Sequence, residues 1–375
     1  MRLSRIVFVV FFLFLIVVLL FVLFYPRNPL NVVGTSDDFA TISANHQRKA
    51  FFANGYHWVF FCNGSDILYS TSSDGLRWSA PLVVREGISS SGLSVWYDGN
   101  VHYVYASGVP NTPVLYRRGF LSGSTIEWDS EQTVVSGVEG HEYYNGYCIM
   151  GSDGYPWAAY IENDGFYWGY CVVKASSVNG SLWGATRLFE PTVGVPRVCI
   201  LPLSNGALYA VHATVDGVWG RLFNGTVWGV LEDIVDTGLV QDYGYSAVSY
   251  DDDVCLVLLE KDTNNILYLK RTFATGWSAH VVIEANQTSI SFPVLSVDKL
   301  TGNLYCFWVH ENILRLKKCV NGTWESVSSS PFGTAFFSLE AVTCFYQAWD
   351  RKIGVAWLEH LKVDVYRVRY GFVVP

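Results

Sequence analysis

Residues 93–135 read LSVWYDGNVHYVYASGVPNTPVLYRRGFLSGSTIEWDSEQTVV, and the rhythm of this stretch decides the fold. Leu93–Tyr97 and Val101–Tyr105 are runs of Val, Tyr and Trp, the residues that suit a pleated, half-buried surface. Asp98-Gly99-Asn100 between them supplies the positive φ angles of a tight hairpin. A loop leads to a third run, Val114–Arg117. A longer loop leads to a fourth, Trp128 through Val135. The text spells four short strands joined by turns.

The same text recurs along the chain. Trp128 has counterparts at Trp78, Trp183, Trp228, Trp277 and Trp324, with successive spacings of 50, 55, 45, 49 and 47 residues. The hairpin turn recurs as Asn54-Gly55, Asp153-Gly154, Asn205-Gly206, Asp251–Asp253, Thr301–Asn303 and Asp350–Lys352. A period of about 40–50 residues with β-type composition marks a radial array of sheets, each unable to bury its faces alone. No helical periodicity is evident beyond residue 30. The expected fold class is all-β, a β-propeller.

Six units carry the tryptophan. A seventh, from Phe337 to Val374, has three strands, Glu340–Tyr346, Ile353–Leu358 and Val363–Phe372, and then the chain ends. Its missing fourth strand is expected from the other end of the chain, at Leu30–Thr35, because closing the ring removes exposed edges. The expectation is seven four-stranded blades, with six as the alternative.

Ile6–Phe24 is an uninterrupted apolar run preceded by Arg2 and Arg5. Nineteen residues at the helical rise span ~28 Å, about the thickness of a bilayer core. No small-residue cleavage site follows, since the next residues are Tyr25-Pro26. The positive end is expected to stay in the cytoplasm, which puts the propeller outside. The organisation read from this is a cytoplasmic N-terminus (1–5), a transmembrane signal anchor (6–24), a short tether (25–32) and the propeller (33–375).

Charged residues make up 15% and aromatics 16% of the chain, which fits flat sheets packed face to face. The formal charge is −8 with no basic stripe, so nucleic acid is excluded as a partner. Eight cysteines show no CxxC spacing, which argues against zinc ribbons and thioredoxin chemistry. No cofactor or metal is called for. An extracellular location permits disulfides, with Cys306–Cys319 and Cys148–Cys171 as the pairs expected on neighbouring strands. The alternative is eight small buried hydrophobes. Asn63, Asn179, Asn224, Asn286 and Asn321 begin Asn-x-Ser/Thr sequons, three of them in hairpin turns that account for the residues without modification.

Repeat phase locates a candidate site. In a propeller the start of each innermost strand and the end of each second strand lie on one face. The second strands end in Asn63, Ser107, Glu162, His212, Glu260, His310 and Glu359, most of them after an apolar run. The approaches to the innermost strands add Arg48, His141, Glu142, Tyr143, Tyr144, Arg197, Asp242, Tyr243, Tyr245 and Glu340. Ionisable residues recurring at one repeat position of a charge-poor chain point to a ligand face, against the plainer reading of solvated strand ends and axial packing. Arg197 follows Val195-Pro196 and offers a planar fork for a carboxylate. Tyr143 and Tyr243 offer hydroxyls and flat faces that suit sugars. Glu142 and Glu162 are the candidate catalytic acid and base if chemistry occurs. The remaining ligand-binding candidates are Arg48, His141, His212, Glu260, His310, Glu340 and Glu359.

Between the third and fourth strands of blade one stands Ser72-Ser73-Asp74-Gly75-Leu76-Arg77-Trp78. It resembles the Asp box of the sialidase-like, BNR-repeat propellers. The loops Asn179-Gly180-Ser181-Leu182-Trp183, Asn224-Gly225-Thr226-Val227-Trp228 and Asn321-Gly322-Thr323-Trp324 keep the turn and the tryptophan without the Asp. The resemblance spans residues 40–375 and implies a propeller fold. For true sialidases it also implies three arginines clamping a carboxylate, a tyrosine nucleophile assisted by Glu, and an Asp acid/base. Arg48 and Arg197 match two arginine positions. The innermost strands of blades five to seven offer Tyr243, Phe292 and Glu340 instead of a third. The resulting expectation is a membrane-anchored extracellular propeller that binds glycans or another cell-surface polymer. The alternatives are a carbohydrate-active hydrolase or lyase, and a structural or adhesion module of the cell envelope.

Overall fold

The computed structural model describes residues 31–375 apart from 89–91, 193–195, 215–216, 236–239, 287–288, 336–337 and 339. Side chains are described except at 188, 190–192, 241–243, 329–331, 333 and 334. The expected membrane span, 6–24, lies outside this set. Among the described residues no helix is long and apolar enough to cross a membrane.

Seven antiparallel sheets form the ring, and six of them take their main strands in chain order from the axis outward. Blade one runs Ala50–Ala53, Tyr56–Cys62, Ile67–Ser72 and Leu82–Arg85. Blade three runs Glu142–Met150, Pro156–Asn163, Trp168–Lys174 and Arg187–Thr192. Blade four runs Arg197–Pro202, Leu208–Thr214, Gly217–Phe223 and Glu232–Val235; the inner three strands of blade two are Leu93–Tyr97, Val101–Tyr105 and Val114–Ser122, and those of blade five are Val240–Tyr250, Asp253–Glu260 and Ile266–Thr272. In blade seven the inner three are Val342–Cys344, Ile353–Lys362 and Val365–Val373, and the fourth is Val32–Ser36 from the start of the chain. Thr35 pairs with Arg367 and Ser36 with Tyr366, so the ring is closed by the strand anticipated from sequence, with bounds shifted toward Ser36.

The repeated tryptophan packs across five of the joints. Trp78 meets Tyr370 of blade seven edge-on at 5.0 Å, Trp183 meets Tyr116 of blade two at 5.3 Å, and Trp228 meets Phe189 of blade three at 5.1 Å. Trp277 meets Tyr209 of blade four at 5.9 Å, and Trp324 meets Tyr268 of blade five at 5.2 Å. Each pair joins one blade to the preceding blade in the ring. Edge-to-face geometry sets the positive ring edge against a negative ring face and adds about 0.5–1.5 kcal/mol to the area buried. The hairpin beneath Trp78 is held by Asp74, whose Oδ1 accepts from the N–H groups of Leu76 and Arg77, each at 2.8 Å. Those two hydrogen bonds hold the Asp74 carboxyl below its ordinary pKa. Gly75 has φ +73° and lies where a Cβ would come 3.0 Å from Phe372 of blade seven, so the turn requires glycine twice over.

The eight cysteines are all free and buried, which corrects the disulfide expectation. Register places Cys319 opposite Leu304, not opposite Cys306. Cys148 and Cys171 are separated by the strand Pro156–Asn163.

Two histidines are packed into blade joints. His57 Nδ1 lies 2.7 Å from Tyr370 Oη, and its ring stacks on Phe372. His212 is stacked between Tyr170 of blade three, at 4.0 Å, and Trp219. Burial, aided by Lys352, pushes the His57 imidazole down to about 4. Burial, aided by Arg221, pushes that of His212 down to about 3.

Two outcomes follow. Trp277 donates from Nε1 to Tyr209 Oη at 2.9 Å. Chemical denaturation is expected to show Trp277→Phe losing about 1 kcal/mol, the worth of that hydrogen bond, and Trp277→Ala losing about 3 kcal/mol or more. Equal stability of wild type and Trp277→Ala would contradict the joint. For the histidines, the unfolded chain binds protons below about pH 6.5 that the folded chain takes up only near pH 4 and 3. Their contribution to stability is therefore complete above pH 6.5 and is lost as pH falls through that window. The Tm of His212→Phe should fall less between pH 7 and 4.5 than that of wild type, and parallel curves would refute the assignment.

Candidate functional site

Thirteen residues, 37–49, separate the closing strand from blade one, whereas six, 136–141, separate blades two and three. The extra length crosses the axis. Every residue from Thr41 to Lys49 is buried, including Asn45, His46, Gln47, Arg48 and Lys49. Buried polar groups must find partners, and these find them on the innermost strands. Asn45 donates to Tyr245 O at 2.8 Å in blade five, and Gln47 donates to Gly146 O at 2.8 Å in blade three. The Arg48 guanidinium donates to Ala247 O at 2.8 Å, to Ser246 Oγ at 3.1 Å and to Cys344 Sγ at 3.4 Å. Lys49 Nζ donates to Gln47 Oε1 at 2.9 Å. Arg48 also lies over the Tyr346 ring at 5.7 Å, and Tyr346 reaches from blade seven to Ser249 N of blade five at 2.9 Å. The segment is a plug tied to blades three, five and seven.

Above the plug lies a cavity of about 300 Å³. Phe39, Ala40, Ser43 and Ala44 form one side. Tyr144 and Asn145 of blade three, Arg197 at the start of blade four, and Glu340 at the approach to blade seven form the rest, with Gly92 and Ala106. Arg197 and Glu340 are ion-paired across this mouth, with side chains 14% and 22% exposed. Arg197 Nη1 has no protein partner among the described residues, and neither has either ring nitrogen of His46. His46 stacks on Tyr245 at 5.8 Å. Its pKa is held well below 6.5 by burial and then by Arg197, Lys49 and Arg48. Burial pushes Lys49 down to about 7 against the pull of Glu340. Arg48, Lys49 and Arg197 thus share electrostatic reach, with Glu340 as the described carboxylate acting on them. In a chain of formal charge −8 this is a local excess of positive charge in a dry setting.

Repeat phase did place the expected residues at the right strand ends. Arg197 pairs with Ala213 beside His212, Glu142 with Asn163, and Val240 with Glu260. Side-chain direction then separates them. Of the residues given a catalytic or ligand-binding role from sequence, Arg197 and Glu340 are those whose described side chains line the mouth cavity. Arg48 lies deeper, 1% exposed, as a strut of the plug. His212 is in the joint of blades three and four, because alternation along its strand turns it away from the axis. His141 Nδ1 pairs with Glu162 at 2.9 Å, and Cys171 Sγ donates to the same carboxylate at 3.3 Å. Glu142 accepts from Tyr144 Oη at 2.8 Å and from Asn163 at 2.9 Å. Tyr143 is buried against Tyr160. Since Glu142 stands opposite Asn163 and Tyr143 opposite Glu162, the two carboxylates point to opposite faces of the blade-three sheet. Glu260 is bound up with Thr263 and Asn265 in its own turn, and Glu359 with Arg367 and Arg369 of its own blade. His310 ends its strand in a bridge to Ile290. Tyr243 lies on Val240–Tyr250, and its side chain is outside the described set. Among the described residues no cluster of His, Cys, Asp or Glu is arranged to hold a metal.

No family model matches the sequence, and no curated protein matches it. Solved structures match the fold. A polysaccharide lyase, the PL25 ulvan lyase bound to -[GlcA(1-4)Rha3S]-, superposes with a TM-score of 0.60 at 12% identity, over 92% of this chain and 94% of its own. The polysaccharide lyase Uly1 gives 0.57 at 9% identity, over 88% and 90%. The Aleuria aurantia lectin, in complex with Fucalpha1-6GlcNAc, gives 0.53 at 13% identity, over 78% and 99%. At these identities the likeness is one of propeller fold and says nothing of the site.

Proposed function

We propose that this protein is a glycan-binding propeller whose mouth cavity seats an anionic sugar, and that residues 6–24 anchor it in the cell membrane with the propeller outside. The observation that carries the reading is Arg197. It lies at the mouth of a charge-poor protein with one guanidinium nitrogen unpartnered among the described residues, next to the tyrosine and asparagine of blade three and above a cationic plug. A forked guanidinium recognises a carboxylate or sulfate, and Tyr144 and Asn145 can meet hydroxyls. The volume, about 300 Å³, is at the small end of ligand pockets. Proteins of similar fold are described as a polysaccharide lyase and as a lectin in complex with Fucalpha1-6GlcNAc, which agrees with a saccharide ligand.

The paired-carboxylate hydrolase reading has less support, because Glu142 and Glu162 face apart and are held by Tyr144, Asn163 and His141. Kinship with the sialidase-like, Asp-box propellers rests on the hairpin at Asp74, and of the two arginines that the resemblance singles out Arg197 reaches the cavity while Arg48 is a strut of the plug. The anchor reading rests on the apolar run at 6–24. It also agrees with the path of the chain: Asn31 N donates to Leu76 O at the hairpin of blade one, on the face opposite the mouth.

Calorimetry with trigalacturonate and neutral maltotriose tests the site. Wild type is expected to prefer the acidic trisaccharide. Arg197→Met should weaken its binding at least about tenfold, equivalent to ~1.4 kcal/mol. Glu340→Gln releases Arg197 from its pair and should tighten it. Equal affinity for both sugars, or full binding by Arg197→Met, would overturn the reading. The double variant Arg197→Met/Glu340→Gln, which leaves no uncompensated charge, controls for folding.

A further inference from the structure

The outer hairpin of blade four overhangs blade three and leaves a groove of about 510 Å³ at the strand ends opposite the mouth. It is separate from the mouth and shares no lining residue with it. Its walls are aromatic: Trp157 and Phe189 from blade three, Phe223 and Trp228 from blade four. Trp157 meets Phe223 edge-on at 5.2 Å and Trp228 at 6.5 Å, so the rings hold one another in place. Two cations, Lys174 and Arg187, stand on the blade-three side, and Thr226 and the exposed Val227 on the blade-four side. Lys174 is fixed rather than loose. Its Nζ pairs with Asp153 at 2.5 Å and lies over the rings of Tyr155, at 4.8 Å, and Trp157, at 5.7 Å. No carboxylate is among the described lining residues.

We infer that this groove is a second saccharide site, for a sugar unit carrying a carboxylate or a sulfate. The chemistry is that of the lining. A pyranose ring has an apolar C–H face that packs on Trp and Phe, and a polar edge that needs donors at the rim. Lys174 and Arg187 supply positive charge there, with Asp153 holding Lys174 in place from beyond the described lining. The tryptophan that elsewhere serves to staple adjoining blades here also lines an open groove. The inference goes beyond the mouth reading and stands without it. With both sites present, one polymer chain bound at two points gains avidity from effective concentration alone.

The test uses the full-length protein in detergent, made without N-glycans because Asn224-Gly225-Thr226 is an acceptor sequence at the rim. Titrations use trigalacturonate, a sulfated heparin-derived trisaccharide and neutral maltotriose. Lys174→Met/Arg187→Met is expected to lose one class of sites, with at least tenfold weaker affinity. Val227→Glu, which adds a negative charge at an exposed position, should do the same while leaving the Tm unchanged. Arg197→Met should retain the groove sites. The carboxylate and sulfate arms identify which anion the groove accepts. If both groove variants bind every probe as wild type does, or if maltotriose binds the groove as well as the acidic sugars do, the inference is wrong. Loss of all binding in Arg197→Met would also refute it. Groove binding that persists while Arg197→Met changes nothing would instead count against the mouth reading alone.

Discussion

The edge-on contact between a tryptophan on one blade and an aromatic ring on the preceding blade is the interaction on which the ring depends. A four-stranded sheet has two faces and cannot cover either by itself. Five of the joints described above are fixed by this contact, from Trp78 on Tyr370 to Trp324 on Tyr268. The contact also explains why the hairpins beneath the tryptophans hold their turn chemistry while their sequences diverge. Asp74 organises one by accepting from two backbone N–H groups, and Asn224 organises another by accepting from Thr226 N and Val227 N. Blade seven has no such tryptophan. It takes its outer strand, Val32–Ser36, from the start of the chain, so closure there is by backbone hydrogen bonds.

A ring of seven sheets leaves an axis to be filled, and here a piece of backbone fills it. The plug carries polar side chains because it must bond to inward-facing carbonyls of several blades at once, as Arg48 does with Ala247 and Gln47 with Gly146. Its positive charge is then buried near the mouth, where burial, with Arg197 adding to it and Glu340 opposing, brings Lys49 down to about 7. The device that closes the channel therefore also sets the electrostatic character of the cavity above it. Glu340 moderates that character by pairing with Arg197, and an incoming anion has to compete with it.

Much of the architecture was legible in the sequence. Trp spacing gave the blades, the three-strand remainder after Phe337 gave the seventh, and the Asn-Gly and Asp-Gly turns gave the hairpins, with Asn54 at φ 51° and Gly55 at φ 79° as one instance. The face was legible as well, because strand direction is fixed by repeat phase. What repeat phase does not fix is side-chain direction, which flips with each residue and with each bulge, such as that between Tyr144 and Tyr147. His212 and Glu162 therefore share a face with the mouth without reaching it. The plug was missed although a signal existed. The connection from Ser36 to Ala50 is twice as long as that between blades two and three, and its run of Asn45, His46, Gln47, Arg48 and Lys49 resembles an exposed loop until the axis is seen to need filling. The groove over Trp157 was not legible, since it depends on how far one hairpin overhangs its neighbour.

The account stands or falls on where an acidic sugar goes. A crystal structure of the protein soaked with trigalacturonate tests this most directly. The account predicts a carboxylate within hydrogen-bond distance of Arg197 at the mouth, with Glu340 turned away from it. Density for the sugar with Arg197 still paired to Glu340 and no anion beside it would contradict the claim.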